Sequence, residues 1–119
     1  MHELSVTTSI LEIALRHAKQ AKAARVTDVY LVIGEMASIV DDSVQFYWDM
    51  ISENTLAAGA LLHFRRIPAE LECKACGQRY HLGDTEMNCP HCNQLGFNFV
   101  SGSEFYVDAI GVEEPALKT

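Results

Sequence analysis

The sequence predicts an α+β fold: two helices packed on a small three-stranded sheet, with a zinc-ribbon-like β-hairpin module inserted between two of the strands. Three observations predict it. Residues 73–92 read C-x2-C, twelve residues, C-x2-C. Residues 5–67 alternate twice between helical apolar spacing and short runs of β-branched or aromatic residues. One further extended run, Glu104 to Val112, follows the cysteines, so the strands flanking the cysteine segment are expected to share a sheet. The expected division is a first domain of residues 1–70 plus 101–119 and a zinc-binding module of residues 71–100.

The first helix is placed at about Ser5–Ala24 with Ser5 as N-cap, because Val6, Ile10, Ile13, Ala14, Ala18 and Ala21 recur at helical spacing. Glu12, Arg16, Lys19, Gln20 and Lys22 occupy its polar side. Val26 to Gly34 is nearly continuous in its apolar half and reads as a strand covered on both faces. Glu35 to Val40 is a connecting loop. Asp42 is the expected N-cap of the second helix, with Gln45 in the capping-box position. Val44, Tyr47, Trp48 and Ile51 form its stripe, broadened by Phe46 and Met50, and this face is expected to be core.

Leu61 to Ile67 is a second strand with Leu62 and Phe64 inward and His63 outward, ended by Pro68. Tyr80-His81-Leu82 begins a short arm between the cysteine pairs, and Phe97 to Val100 returns across the module. In the last strand the alternation slips near Gly111, as at a bulge. Phe105, Val107 and Ile110 are expected in one core with Val29, Leu31 and Phe64.

Four thiolates grouped two and two are the ligand set of a closed tetrahedral zinc site, here Cys73, Cys76, Cys89 and Cys92. Two cysteines two residues apart share one tight turn, so both sulfurs can face one ion. The residue after each pair needs a left-handed backbone, which Gly77 supplies freely and Asn93 tolerates. A redox pair or two disulfides are the rivals, and disulfides need an oxidising compartment.

The first twenty residues carry His2, Glu3, Glu12, Arg16 and His17, which fits no signal peptide. No apolar run reaches membrane-spanning length. A cytoplasmic protein is expected. With 16 acidic against 9 basic side chains the net charge is −7, and no Lys/Arg run occurs, so nucleic-acid binding has little electrostatic support. The sequence contains no hydrolytic triad, phosphate loop or dinucleotide fingerprint, and four thiolates leave zinc no open position. An enzyme is therefore not expected. A zinc-ribbon nucleic-acid-binding or protein-interaction module is the alternative class.

The amino terminus carries the other metal chemistry. Met1 followed by the bulky His2 is normally retained, leaving a free amine one residue from an imidazole. That amine, the His2 backbone nitrogen and a His2 ring nitrogen can close adjacent chelate rings, with the Glu3 backbone nitrogen or carboxylate as fourth donor. Nitrogen-rich square-planar or tetragonal sites suit Ni(II) and Cu(II).

Met1-His2-Glu3-Leu4-Ser5, Ile33-Gly34-Glu35, Leu56-Ala57-Ala58-Gly59-Ala60, Cys89-Pro90-His91-Cys92 and Ser101-Gly102-Ser103-Glu104 occur in that order. Over nearly the whole chain this resembles the HypA family, nickel metallochaperones that help mature nickel-iron hydrogenases and, in some organisms, urease. The resemblance implies that His2 is the essential nickel ligand, supported by Met1 and Glu3, and that the four cysteines hold structural Zn(II). It implies a HypB-type GTPase as partner, the hydrogenase large-subunit precursor as recipient, and urease maturation proteins as further candidates; a homodimer is compatible with it. Two departures stand out: Asn93 where many relatives have Gly, and Asp41-Asp42 where many have Pro.

Overall fold

The computed structural model describes residues 3–81 and 88–115. Its elements run α1 (Glu3–Gln20), β1 (Arg25–Gly34), α2 (Asp41–Ile51), β2 (Leu61–Ile67), β3 (Glu70–Cys73), β4 (Arg79–His81), β5 (Phe97–Ser101) and β6 (Phe105–Glu113). They form two three-stranded sheets, ordered β2-β1-β6 and β4-β3-β5. The chain divides into two compact units. One holds Met1–Leu31, Ile39–Arg65 and Tyr106–Thr119; the other holds Val32–Ser38 and Arg66–Phe105.

In the first unit α1 packs on α2. Ile10, Leu11, Ala14 and Ala18 of α1, Val26, Val29 and Leu31 of β1, and Val44 and Trp48 of α2 are buried. α1 is already helical at Glu3, so Ser5 is an interior residue rather than the N-cap. It also stops four residues before Ala24. Lys22 turns left-handed at φ 55, and the amides of Ala23 and Lys22 bond back to the carbonyls of Ala18 and Lys19 at 3.0 and 3.1 Å. This is a Schellman ending built on lysine instead of glycine.

α2 begins two residues earlier than the capping box implied. Val40 is its N-cap and makes no side-chain cap bond, while Gln45 reaches forward to Asp49 at 2.8 Å. Asp41 and Asp42 instead lie in the first turn, where the helix dipole favours anions.

Strand directions follow from the connections. α2 is the crossover between β1 and β2, and the Glu35 amide, just past β1, donates to the carbonyl of Ile67, the last residue of β2, at 2.8 Å. Neighbouring strands whose last residues meet run parallel. β6 runs the other way: Ala24 bonds to Glu113 at 2.8 Å, and Gly34 to Glu104 at 2.6 Å.

The expected core is too generous at three places. Phe46 and Met50 are 64% and 52% exposed, so α2 buries only Val44 and Trp48 of its stripe and keeps the rest partly or wholly in solvent. Phe105 is 37% exposed, and no residue of β6 is fully buried. Phe64 is only partly buried. A strand at one edge of a three-stranded sheet is flanked on one side alone, so its side chains are covered less than those of the central β1. Gly111 in β6 answers a close approach: a Cβ there would sit 3.1 Å from both Asp28 Oδ2 and Thr27 Oγ1.

In the second unit β3 is the central strand. It pairs antiparallel with β4 (Leu71 opposite Tyr80) and with β5 (Cys73 opposite Phe97), with an irregularity between Glu70 and Leu71 on the β5 side. The hairpin expected from the cysteine spacing is thus a three-stranded sheet. Its small core is Leu71, Cys73, Tyr80 and Cys89, with Cys92 and Phe97 against it.

Segments far apart in sequence meet at its other end. Gly34 bonds to Glu104, Met36 to Gly102 at 2.7 Å, and Glu35 Oε1 accepts the Ala69 amide at 2.6 Å and lies 2.9 Å from His81 Nε2. Gly102, at φ +114, passes so close to Ala69 that a Cβ on it would sit 2.6 Å from the Ala69 Cα, and a Cβ on Gly34 would land on the Gly102 carbonyl. The Gly34-Glu35 and Gly102-Ser103-Glu104 stretches are two sides of one backbone junction, which only glycine allows.

Candidate metal centres

Both cysteine turns are built alike. The Gly77 amide bonds to the Cys73 carbonyl at 2.9 Å, and the Asn93 amide to the Cys89 carbonyl at 2.8 Å. The Cys73 amide closes on the Gln78 carbonyl at 2.9 Å, and that of Cys89 on the Gln94 carbonyl at 3.0 Å. Gly77 and Asn93 are left-handed at φ 78 and φ 61, as the sequence required. In each turn the amide two residues on, Ala75 or His91, points at the first sulfur at 3.4 Å. Sequence reasoning missed Gln78 and Gln94; their signal was there, since each follows its second cysteine by two residues.

The two turns bring all four sulfurs within 4.8 Å of one another. Across the turns, Cys73 lies 3.5 Å from Cys92 and Cys76 lies 3.6 Å from Cys89. Sulfurs arranged tetrahedrally at about 2.3 Å from one zinc ion stand about 3.8 Å apart, so the cluster fits that ion. All four thiols are free, with Cys73 and Cys89 buried, Cys76 exposed and Cys92 between. Among the described residues this is the one group of three or more side chains placed to hold a metal.

The thiols are not equivalent. The Cys76 amide, against burial and with help from the Ala75 amide, draws Cys73 down to about 6. Cys89 is opposed by burial, yet the Cys92 and His91 amides bring it below the ordinary thiol value. Cys92 is relieved by the Gln94 amide, but burial and the neighbouring sulfurs push it up to about 12. Cys76 likewise rises despite the Gln78 amide. In each turn the first cysteine is thus the more readily ionised of its pair, and a dication displaces the protons that remain. Burial, with the sulfurs adding to it, raises the phenol of Tyr80 beside them.

Of the terminal residues, Met1 and His2 lie outside the described residues. Glu3 opens α1 and is only 9% exposed. Its Oε2 accepts the Val40 amide at 3.3 Å, and its carbonyl accepts the Thr7 hydroxyl. Among the described residues the other histidines join no such cluster. His63 sits 2.8 Å from Asp28 and stacks on Tyr30, and His81 is bonded to Glu35.

Comparison with known proteins agrees with this picture. Residues 1–112 match the family model described as hydrogenase/urease nickel incorporation, metallochaperone, hypA. The chain is similar to the hydrogenase maturation factor HypA of Dehalococcoides mccartyi, 41% identical over 114 residues that span 96% of each protein. It is 40% identical over 114 residues to the factor of the same name from Caldanaerobacter subterraneus, covering 95% of this chain and all of that one. The solution structure of the Ni metallochaperone HypA from Helicobacter pylori has a TM-score of 0.65 at 23% identity, with 97% of this chain and 100% of that one covered. A second HypA solution structure gives 0.69 at 24%, covering 94% and 96%. At those identities the two structures speak for the fold alone.

Proposed function

The chain belongs to the HypA family, and from that premise we propose that it is a nickel metallochaperone for nickel-iron hydrogenase maturation. In this proposal Ni(II) is cargo, bound by the Met1 amine and His2, with Glu3 in support. Cys73, Cys76, Cys89 and Cys92 hold one structural zinc. The nickel-binding part is residues 1–70 plus 101–119, and the zinc module is residues 71–100. A HypB-type GTPase is the partner and the hydrogenase large-subunit precursor the recipient, in the cytoplasm, with urease maturation proteins as a second possible destination. The observation that carries the proposal is the family match over residues 1–112, which takes in the Met1-His2-Glu3 start as well as the cysteines.

The mechanism is transfer, with no bond of a substrate made or broken, so no enzymatic role is assigned. Few nitrogen donors at a chain end bind nickel reversibly, and a better-coordinated recipient site withdraws it. Intrinsic affinity puts Cu(II) above Ni(II), so selectivity comes from metal supply and the docked partner. Four thiolates close the zinc shell and leave no position for cargo, which separates the two metals by chemistry.

The test is nickel titration of the tagless protein beside a His2→Ala variant. Loss of stoichiometric nickel in the variant, with one zinc per chain retained, supports the proposal; equal nickel affinity refutes it.

A further inference from the structure

We propose that the outer face of α2 is a docking surface for a partner protein, and that the segment it takes is amphipathic, with an apolar centre rimmed by Lys or Arg. This surface does not depend on the nickel site proposed above.

α2 has two contrasting sides. Val44 and Trp48 are fully buried, and α1 packs against this helix. Phe46 lies midway between them in sequence, so at about 100° per residue it stands on the opposite side. Met50, one turn further on, shares that side. Phe46 is 64% exposed and Met50 52%. Asp42 and Asp49 are exposed too and fall within about 60° of Phe46 around the helix, and exposed Glu53 follows in the turn just past it. Gln45 steadies Asp49 through a 2.8 Å bond to Oδ1 and leaves its charge intact. An apolar pair flanked by carboxylates therefore stands on a helix anchored from behind.

A single exposed apolar residue is ordinary on a protein surface. Two features set this face apart. Phe and Met, neighbours here, are residue types that interfaces gather. The acids also lack the cations that usually alternate with them on a solvated helix: no Lys, Arg or His occurs from residue 26 to residue 62. The charge that would balance the face is left for a partner to bring.

That charge selects the occupant. A second copy docked face to face about a two-fold axis would set Asp42, Asp49 and Glu53 against their own counterparts, and like charges facing each other oppose the contact. Nucleic acid and anionic lipid are repelled for the same reason. A wholly apolar segment would strip water from the carboxylates and return nothing. A segment whose apolar side chains meet Phe46 and Met50 while its Lys or Arg residues reach the three acids satisfies both features.

The test uses the full chain and a fluorescent Leu/Lys peptide with its leucines at helical spacing, read by anisotropy at physiological ionic strength. The comparators are a peptide of the same composition in scrambled order and a Leu/Glu peptide of the same spacing. The native protein is expected to bind the ordered Leu/Lys peptide, the scrambled one more weakly and the Leu/Glu one not at all. Phe46→Ser is expected to weaken the ordered peptide by about ten-fold or more, as for a central interface residue. Asp49→Asn with Glu53→Gln is expected to weaken it and to flatten its salt dependence. Neither change is expected to move the denaturant midpoint, because the side chains are exposed.

Equal binding of the scrambled peptide, or unchanged binding by Phe46→Ser, overturns the surface in favour of charge alone. Equal binding of the Leu/Glu peptide overturns the basic occupant. A native dimer that Phe46→Ser turns into a monomer makes the occupant a second copy and overturns the proposal as well. Should Phe46→Ser fail to fold, Met50→Ser and the amide shifts that the ordered peptide causes in the native protein decide: shifts centred on α2 support the surface, and shifts that spare α2 refute it.

Discussion

Lys22 carries the left-handed turn that ends α1, at φ 55. A lysine gains nothing from that conformation, and its Cβ meets the following carbonyl there, a penalty of about 1 kcal/mol or more that glycine escapes. Lys22→Gly should therefore raise unfolding stability by about 1 kcal/mol, read as a higher denaturant midpoint at unchanged slope. Asp28 shows a charge effect at the same scale. Its bond with His63 first, then the Thr27 hydroxyl, hold its carboxyl below the ordinary 3.8. A lowered folded pKa means that stability is present above the ordinary value and is lost as pH falls through the folded one. The stability gap between the native protein and Asp28→Asn should accordingly shrink as pH drops below 3.8, and a gap that widens on acidification would refute the assignment.

Elements were legible in the sequence where backbone chemistry decides them and less so where coverage does. The two cysteine turns, the left-handed Gly77 and Asn93, and the strand that Gly34 ends were all written in local residue types. Phe46 and Met50 were not, because helical spacing says which residues share a face but not how much of that face a neighbour covers. β6 misled for the same reason: its apolar residues mark a strand, yet an edge strand leaves them half open. The junction of Gly34, Ala69 and Gly102 was invisible, since nothing local to any of the three shows the others.

The zinc module puts an element-scale prediction on these terms. The core of the β4-β3-β5 sheet is Leu71 and Tyr80 with two of the four cysteines, too few apolar side chains to hold it without the ion. Removing zinc with a chelator, or replacing Cys73 by Ala, should collapse amide protection in β3 to β5. The helical signal of α1 and α2, whose buried residues include Ile10, Ala14, Val44 and Trp48, should remain. Simultaneous loss of both signals would show that the ion sustains the whole chain.

At the scale of the molecule, the charge of −7 draws cations in and repels phosphates, so the chain suits carrying a metal better than gripping a nucleic acid. The last prediction concerns where that metal sits. If the Met1 amine is a nickel ligand, it must lose its proton to bind. An α-amino group titrates near ~7.7–8.0 and an imidazole near ~6.5, so nickel affinity should rise with pH across that span. A few residues added before Met1 turn the amine into an amide, which offers no lone pair until it too is deprotonated. The extended protein should lose nickel as His2→Ala does and keep its zinc, because the four sulfurs form a cluster of their own. Nickel binding undiminished by the extension would exclude the amine and send the search to the other histidines. There the structure orders the choice: Asp28 holds Nε2 of His63 and Glu35 holds Nε2 of His81, so nickel could reach either ring only at Nδ1 unless that bond breaks, and His17 and His91 are the first variants to make.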